Sequence, residues 1–225
     1  MDWQERHTLL KAGFDVAIRS TTVKSEIQFG HIDRPTTENN SLEASRFEIC
    51  NHKWSDLSET RYGVALLNDC KYGLSVRGSD MRLTLHKGGV RPDPVTDMGT
   101  HTMAYALLPH VGGFDAESVI RPAYEFNYTP MMVQGELNVA PLFALSAPGI
   151  ICEAVKQAED VENAYVLRLY EAERNATSCT LTLPGALKAY ETNMLEEISA
   201  ELPLNNGAVK LKFRPFEIKP ILVKR

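Results

Sequence analysis

The apolar residues of this chain come in short runs cut off by turn residues, and that pattern constrains the fold more than any other feature. Val64-Ala65-Leu66-Leu67 stops at Asn68-Asp69-Cys70-Lys71-Tyr72-Gly73, and two further strand-like segments follow before Leu85. Runs of about four to eight apolar residues bounded by Gly, Asn and Asp read as strands, because helices need longer stretches with three-to-four spacing. Residues 54–85 are therefore expected to form a β-meander whose polar residues gather at one turn.

The same punctuation recurs along the chain. Leu9, Leu10, Phe14, Val16 and Ile18 predict one strand, and Val23, Ile27 and Phe29 a second. Residues 31–40, which contain Pro35, read as a loop, and residues 46–50 as a short returning strand. Gly88-Gly89-Val90-Arg91-Pro92-Asp93-Pro94 predicts a constrained loop. Alternation from His101 predicts a half-buried strand ending at Pro109. Strands follow over residues 142–145, 150–155, 165–170, 179–183, 209–213 and 216–223, with a turn at Asn206-Gly207 and clean alternation at Val209, Leu211 and Phe213. Short helices are expected only near residues 116–120 or 194–200. The chain is all-β by this reading, and the Gly- and Pro-rich residues 112–134 divide it into domains 1–125 and 126–225.

Composition removes several function classes. With 225 residues and 44% hydrophobic content the chain can bury real cores. A net charge of −5 argues against a nucleic-acid partner, which needs clustered Lys and Arg. No apolar stretch approaches the roughly 18–20 residues that span a bilayer, and MDWQERHTLLK lacks the apolar core of a signal peptide, so no membrane partner and a cytoplasmic location are expected. Cys50, Cys70, Cys152 and Cys179 are widely spaced, without a CxxC pair, and are expected as free thiols.

Few residues advertise chemistry. The histidines form neither HExxH nor a zinc spacing, and no GxSxG, P-loop or GxGxxG occurs. His31 and Asp33 could share one face of a strand, but a lone pair of ligands falls short of a metal site. Asp69, Asp93 and Asp97 lie on predicted turns and Glu48 and Glu59 on strand edges, where solvated or turn-capping roles are the ordinary ones. Asn68-Asp69 differs, since polar residues directly after a buried strand can be aimed into a cleft. Trp54, Tyr62 and Tyr72 could pack on the apolar face of a sugar or simply fill a core.

Longer segments carry a resemblance. Asp2-Trp3-Gln4-Glu5-Arg6-His7, Glu26-Ile27-Gln28-Phe29-Gly30-His31, Arg34-Pro35-Thr36, residues 52–59, residues 62–73 and Tyr105-Ala106-Leu107-Leu108-Pro109-His110 closely resemble the C-terminal half of family 38 α-mannosidases. Leu167-Arg168-Leu169-Tyr170-Glu171 and residues 213–219 continue the match through nearly the whole chain. The likeness is to the bacterial and cytosolic branch. It implies a partial, galactose-mutarotase-like β-supersandwich followed by a smaller antiparallel β-sandwich.

In that family an N-terminal α/β barrel carries the nucleophile and a divalent metal, zinc or cobalt. Neither has a counterpart here, so the resemblance implies no cofactor in this chain and no activity by it alone. It also implies that the first domain starts part-way through the supersandwich. The expected partners are the missing barrel, in cis or trans, α-mannoside glycans, and a second copy through exposed sheet edges. Lys87, after Leu83-Thr84-Leu85-His86, stands where the resemblance implies an Arg near substrate, and Lys lacks its planar fork. The candidate rim or barrel-contact residues are Asn68, Asp69, Lys71, Tyr72, His86, Lys87 and Asp93. The alternative is a stand-alone glycan-binding or scaffold module.

Overall fold

A computed structural model of the chain describes residues 1–136 and 139–225. Its contacts divide it into two units, Met1–Pro130 and Met131–Arg225.

In the first unit a five-stranded antiparallel sheet has the order Tyr105–Val111, Tyr62–Asn68, Trp54–Ser58, Thr22–Ile27, Gly30–Pro35. A four-stranded sheet has the order Leu9–Asp15, Asp80–Lys87, Gly73–Arg77, Ile49–Cys50. Residues 54–85 are thus not one meander, as their sequence predicts, but two hairpins in two different sheets. Residues 69–72 cross between them. Side-chain burial explains the split: Leu57, Val64 and Leu66 of one hairpin and Leu74, Met81 and Leu83 of the other are buried in one cluster with Val23. A continuous meander would put all these side chains on one surface with nothing opposite to bury them.

Two segments of the first unit depart from what their sequence predicts. Gly30–Pro35 is a strand rather than a loop, paired with Thr22–Ile27 through Glu26/His31 and Lys24/Asp33. Its side chains read as loop because they are polar, yet Lys24 Nζ and Asp33 Oδ1 meet at 2.7 Å across the ladder. The later strand begins at Tyr105 and runs through Pro109 to Val111. Its even-numbered neighbours bond towards Tyr62–Asn68, with Asp69 N donating to Ala104 O and Gly112 N to Arg61 O. The missing N–H of Pro109 therefore faces outward from an edge strand, the place where proline is tolerated.

This edge exposes Tyr105, Leu107 and, at 89% exposure, Val111. Such a row invites pairing with another chain, and Pro109 interrupts it. Pro109→Val is expected to leave the fold unchanged and to increase self-association, read as a concentration-dependent rise in mass by light scattering.

The outer face of the five-stranded sheet is covered by a π-helical turn, Ala116–Ile120, that runs into an α-helix, Arg121–Asn127. Asp115 caps the turn by accepting from Ser118 N at 2.7 Å, and Pro122 sits in the first turn of the α-helix, where its lost N–H is harmless. Ala116, Val119, Ile120 and Ala123 are buried beneath.

The second unit has a three-stranded sheet (Ala144–Leu145, Thr177–Thr182, Ala208–Phe213). Its five-stranded sheet has the order Ile150–Gln157, Ala164–Glu171, Ile218–Lys224, Lys188–Thr192, Ile198–Leu202. Leu167, Leu169, Leu181, Val209, Phe213 and Ile221 form its core. Residues 194–200 form no helix: a turn at residues 194–195 leads into an exposed edge strand, Ile198–Leu202. Asn206 and Gly207 both have positive φ and form the tip of a turn closed by an Asn205/Ala208 bridge.

Candidate functional site

The crossing at residues 69–72 is held from below by Asn68. Its side-chain amide is buried and donates to Asn51 Oδ1 at 2.9 Å and to His52 O at 2.6 Å, while its Oδ1 accepts from Lys71 N at 2.7 Å. Asn127 Nδ2 donates to its backbone oxygen at 3.1 Å. Asn68 is therefore a turn holder whose side chain is committed internally. Asp69, Cys70 and Tyr72 are turned to solvent, with the Tyr72 ring against His52 at 5.0 Å between centroids.

Partial burial raises the Asp69 carboxyl, but the Cys70 thiol, the N–H groups of Ala104 and Asp69, and the Lys71 charge together outweigh it. The net shift is downward, so Asp69 is an ionised acceptor at neutral pH. The Cys70 thiol is pushed up by burial and by Asp69, away from thiolate character.

His86 lies near the end of Asp80–Lys87. The register there passes from Leu10/His86 to Lys11/Thr84, a bulge that leaves Leu85 as the extra residue. His86 is 7% exposed and lies between Trp3, at 4.6 Å, and His101, at 4.3 Å between ring centroids. His101 contacts Asp97 O through Nε2 at 2.7 Å. Gly88 closes the group, since a Cβ there would come within 2.6 Å of Glu5 O.

Burial lowers the His86 pKa first, followed by the charges of His101 and Lys71. Removing either charge lifts part of that depression. We expect the His86 titration, followed by NMR, to move upward in Lys71→Ala and further upward in His101→Asn.

The seven sequence-predicted residues therefore separate. Lys71 and His86 are brought within electrostatic reach, with Asp69 and Tyr72 on the same crossing. Lys87 is exposed after His86. Asp93 is exposed on its loop and accepts from Val95 N at 2.9 Å, closing its own turn. Trp3 and His101, which complete the aromatic group, carry no spacing signal that would single them out. Of the aromatic residues, Trp54 is core and Tyr62 and Tyr72 are exposed.

A second polar arrangement lies beneath the helical cover. His110 Nε2 and Asp56 Oδ1 meet at 2.7 Å, with side chains 5% and 0% exposed. Burial raises the Asp56 pKa, opposed by the bonds from His110 and Ser58. Gly63, opposite His110 in the ladder, leaves the space that the imidazole fills. His31 stands against Phe114 and Trp54, and Trp54 stacks on Phe114 at 4.9 Å. Among the described residues no group of three or more His, Cys, Asp or Glu could hold a metal ion.

The family model "Glycosyl hydrolases family 38 C-terminal domain" matches residues 1–95, and "Glycosyl hydrolases family 38 C-terminal beta sandwich domain" matches residues 149–221. The chain is 41% identical over 231 residues to Alpha-mannosidase 2C1 of Homo sapiens, covering 98% of this chain and 22% of that protein. It is 39% identical to Alpha-mannosidase G of Dictyostelium discoideum, covering 97% of this chain and 21% of that protein. It thus spans about a fifth of the length of these relatives. An alpha-mannosidase from Enterococcus faecalis shares the fold with a TM-score of 0.75 at 19% identity, over 96% of this chain and 26% of that one. The chain belongs to glycosyl hydrolase family 38, and the part of the family it carries is the C-terminal β region.

Proposed function

We propose that this chain serves an α-mannosidase as its C-terminal β portion, supporting hydrolysis of terminal α-mannosides by the two-carboxylate retaining route without supplying the reacting groups. The observation that carries this reading is the succession of both C-terminal family 38 matches along a chain about 40% identical to named α-mannosidases. Among the described residues no group of His, Cys, Asp or Glu is placed to hold a catalytic metal, and in this reading the metal chemistry belongs to the barrel. The partner is a family 38 catalytic barrel, supplied in cis or in trans, and the location is cytoplasmic, in keeping with four unpaired thiols.

Within this reading Asp69, Lys71, Tyr72 and Lys87 form the rim offered to sugar or barrel, and Asn68 and His86 hold that rim from beneath. An aryl α-mannoside assay with added zinc or cobalt tests it. The pure chain is expected to give no turnover, and mixing it with the barrel region of a family 38 relative that lacks its own C-terminal β region is expected to raise turnover. Turnover by the chain alone, abolished by changing one of its own carboxylates, overturns the proposal. A stand-alone glycan-binding module would instead bind mannosides through the rim and lose that binding in Tyr72→Ala or Lys87→Ala.

A further inference from the structure

The solvent face of the four-stranded sheet in the first unit is a grid of side chains fixed by register. One row runs Lys11, Thr84, Gly73 and Cys50, the next Gly13, Arg82 and Ser75, and the third Asp15, Asp80 and Arg77. Two openings of about 370 and 560 Å³ lie on this face and share Lys11, Asp80 and Arg82. Both fall within the range of roughly 300–1,000 Å³ that small-molecule sites occupy.

The polar groups of the grid are held in place by one another. Lys11 Nζ donates to Ser75 Oγ at 3.1 Å and lies 3.7 Å from Glu48 Oε1, which also accepts from Thr84 Oγ1. Gly73 makes room for that carboxylate, because a Cβ there would strike Glu48 Oε1. Arg82 grips Asp80 through Nε and one terminal nitrogen, both at 2.6 Å, which orients the guanidinium and leaves its other nitrogen for a ligand. Phe47, 63% exposed, and Leu9, 47% exposed, form an apolar wall at one end. A Cβ at Gly13 would meet only the Arg82 side chain, at 3.5 Å, so the second opening stays free.

Charge decides the class of ligand. Lys11, Arg77 and Arg82 are balanced by Glu48, Asp80 and Asp15 on the same face, and Arg77 also pairs with Glu38 at 3.0 Å. A strongly charged ligand would find no net attraction here. A neutral polyhydroxy ligand finds oriented donors and acceptors beside an aromatic and an aliphatic surface for its C–H face. From this arrangement we infer that the solvent face of the four-stranded sheet binds a neutral oligosaccharide, at a site separate from residues 69–72.

Saturation-transfer NMR on the intact chain tests this, using α-mannotriose, maltotriose and cellotriose as neutral probes and a hyaluronan tetrasaccharide as the anionic one. At least one neutral probe is expected to receive saturation. Phe47→Ala and Gly13→Trp, folded as judged by circular dichroism and melting temperature, are each expected to weaken its binding by roughly tenfold or more. If either variant is misfolded, Arg82→Gln replaces it with the same expectation. The inference is overturned if no neutral probe receives saturation, if binding survives these variants, or if the anionic probe binds more tightly than all three. Loss of binding in Tyr72→Ala and Lys87→Ala with Phe47→Ala unaffected assigns the sugar to the rim and also overturns it.

Discussion

Gly63→Ala is expected to lower the stability of the first unit by about 3–5 kcal/mol, the cost of separating a buried pair of ionisable groups. The new methyl group would occupy the space of the His110 imidazole and lie 2.8 Å from Ser58 Cβ. His110 would have to leave Asp56, whose carboxyl has no exposed surface. His110→Phe checks the assignment from the other side, because it deletes the partner without adding bulk at Gly63.

The pH dependence of that second variant has a defined sign. Burial already holds the folded-state pKa of Asp56 above 3.8, and His110 is the first of the groups that oppose this. Without His110 the folded pKa rises further. A carboxyl whose folded pKa is raised binds its proton more tightly in the native than in the unfolded chain, so stability falls as pH rises from the unfolded value through the folded one. The deficit of His110→Phe relative to the parent should therefore be largest at neutral pH and shrink as Asp56 protonates. Urea unfolding at several pH values measures it, and a deficit independent of pH would disprove the pairing role.

Trp54→Ala is expected to cost about 3–5 kcal/mol as a large cavity forms. The side chain is 1% exposed and stacks on Phe114, so its loss also removes an anchor for the helical cover. Limited chymotrypsin digestion should then cut at Tyr124 or Phe126 well before global unfolding. Equal protection of the cover in both proteins would show that Trp54 fills the core without holding the helix.

The strands with clean alternation were legible before the structure: Val209, Leu211 and Phe213 are buried and Lys210 and Lys212 exposed. What alternation cannot reveal is which sheet the next strand joins, since a turn within a sheet and a crossing between sheets use the same residue types. That is why residues 54–85 read as one meander. Residues 198–202 hid for the opposite reason, because an edge strand with both faces wet has no apolar period. Pro122 obscured the helix that follows it, although a proline in the first turn permits one. In the candidate site Asn68 was visible as a polar residue after a buried strand, yet its role in bonding the turn internally depends on Asn51 and His52 being carried back beside it. Asp56 and His110, 54 positions apart, could be joined only by folding.

The path of the chain in the second unit has a consequence for how it comes apart. The backbone passes from one sheet to the other at residues 146–149, 172–176, 183–187, 203–207 and 214–217. Neither sheet owns a continuous piece of polypeptide, so neither can peel away and leave the other intact. Loss of one layer tears strands from both, and the unit is stitched to melt in a single cooperative step.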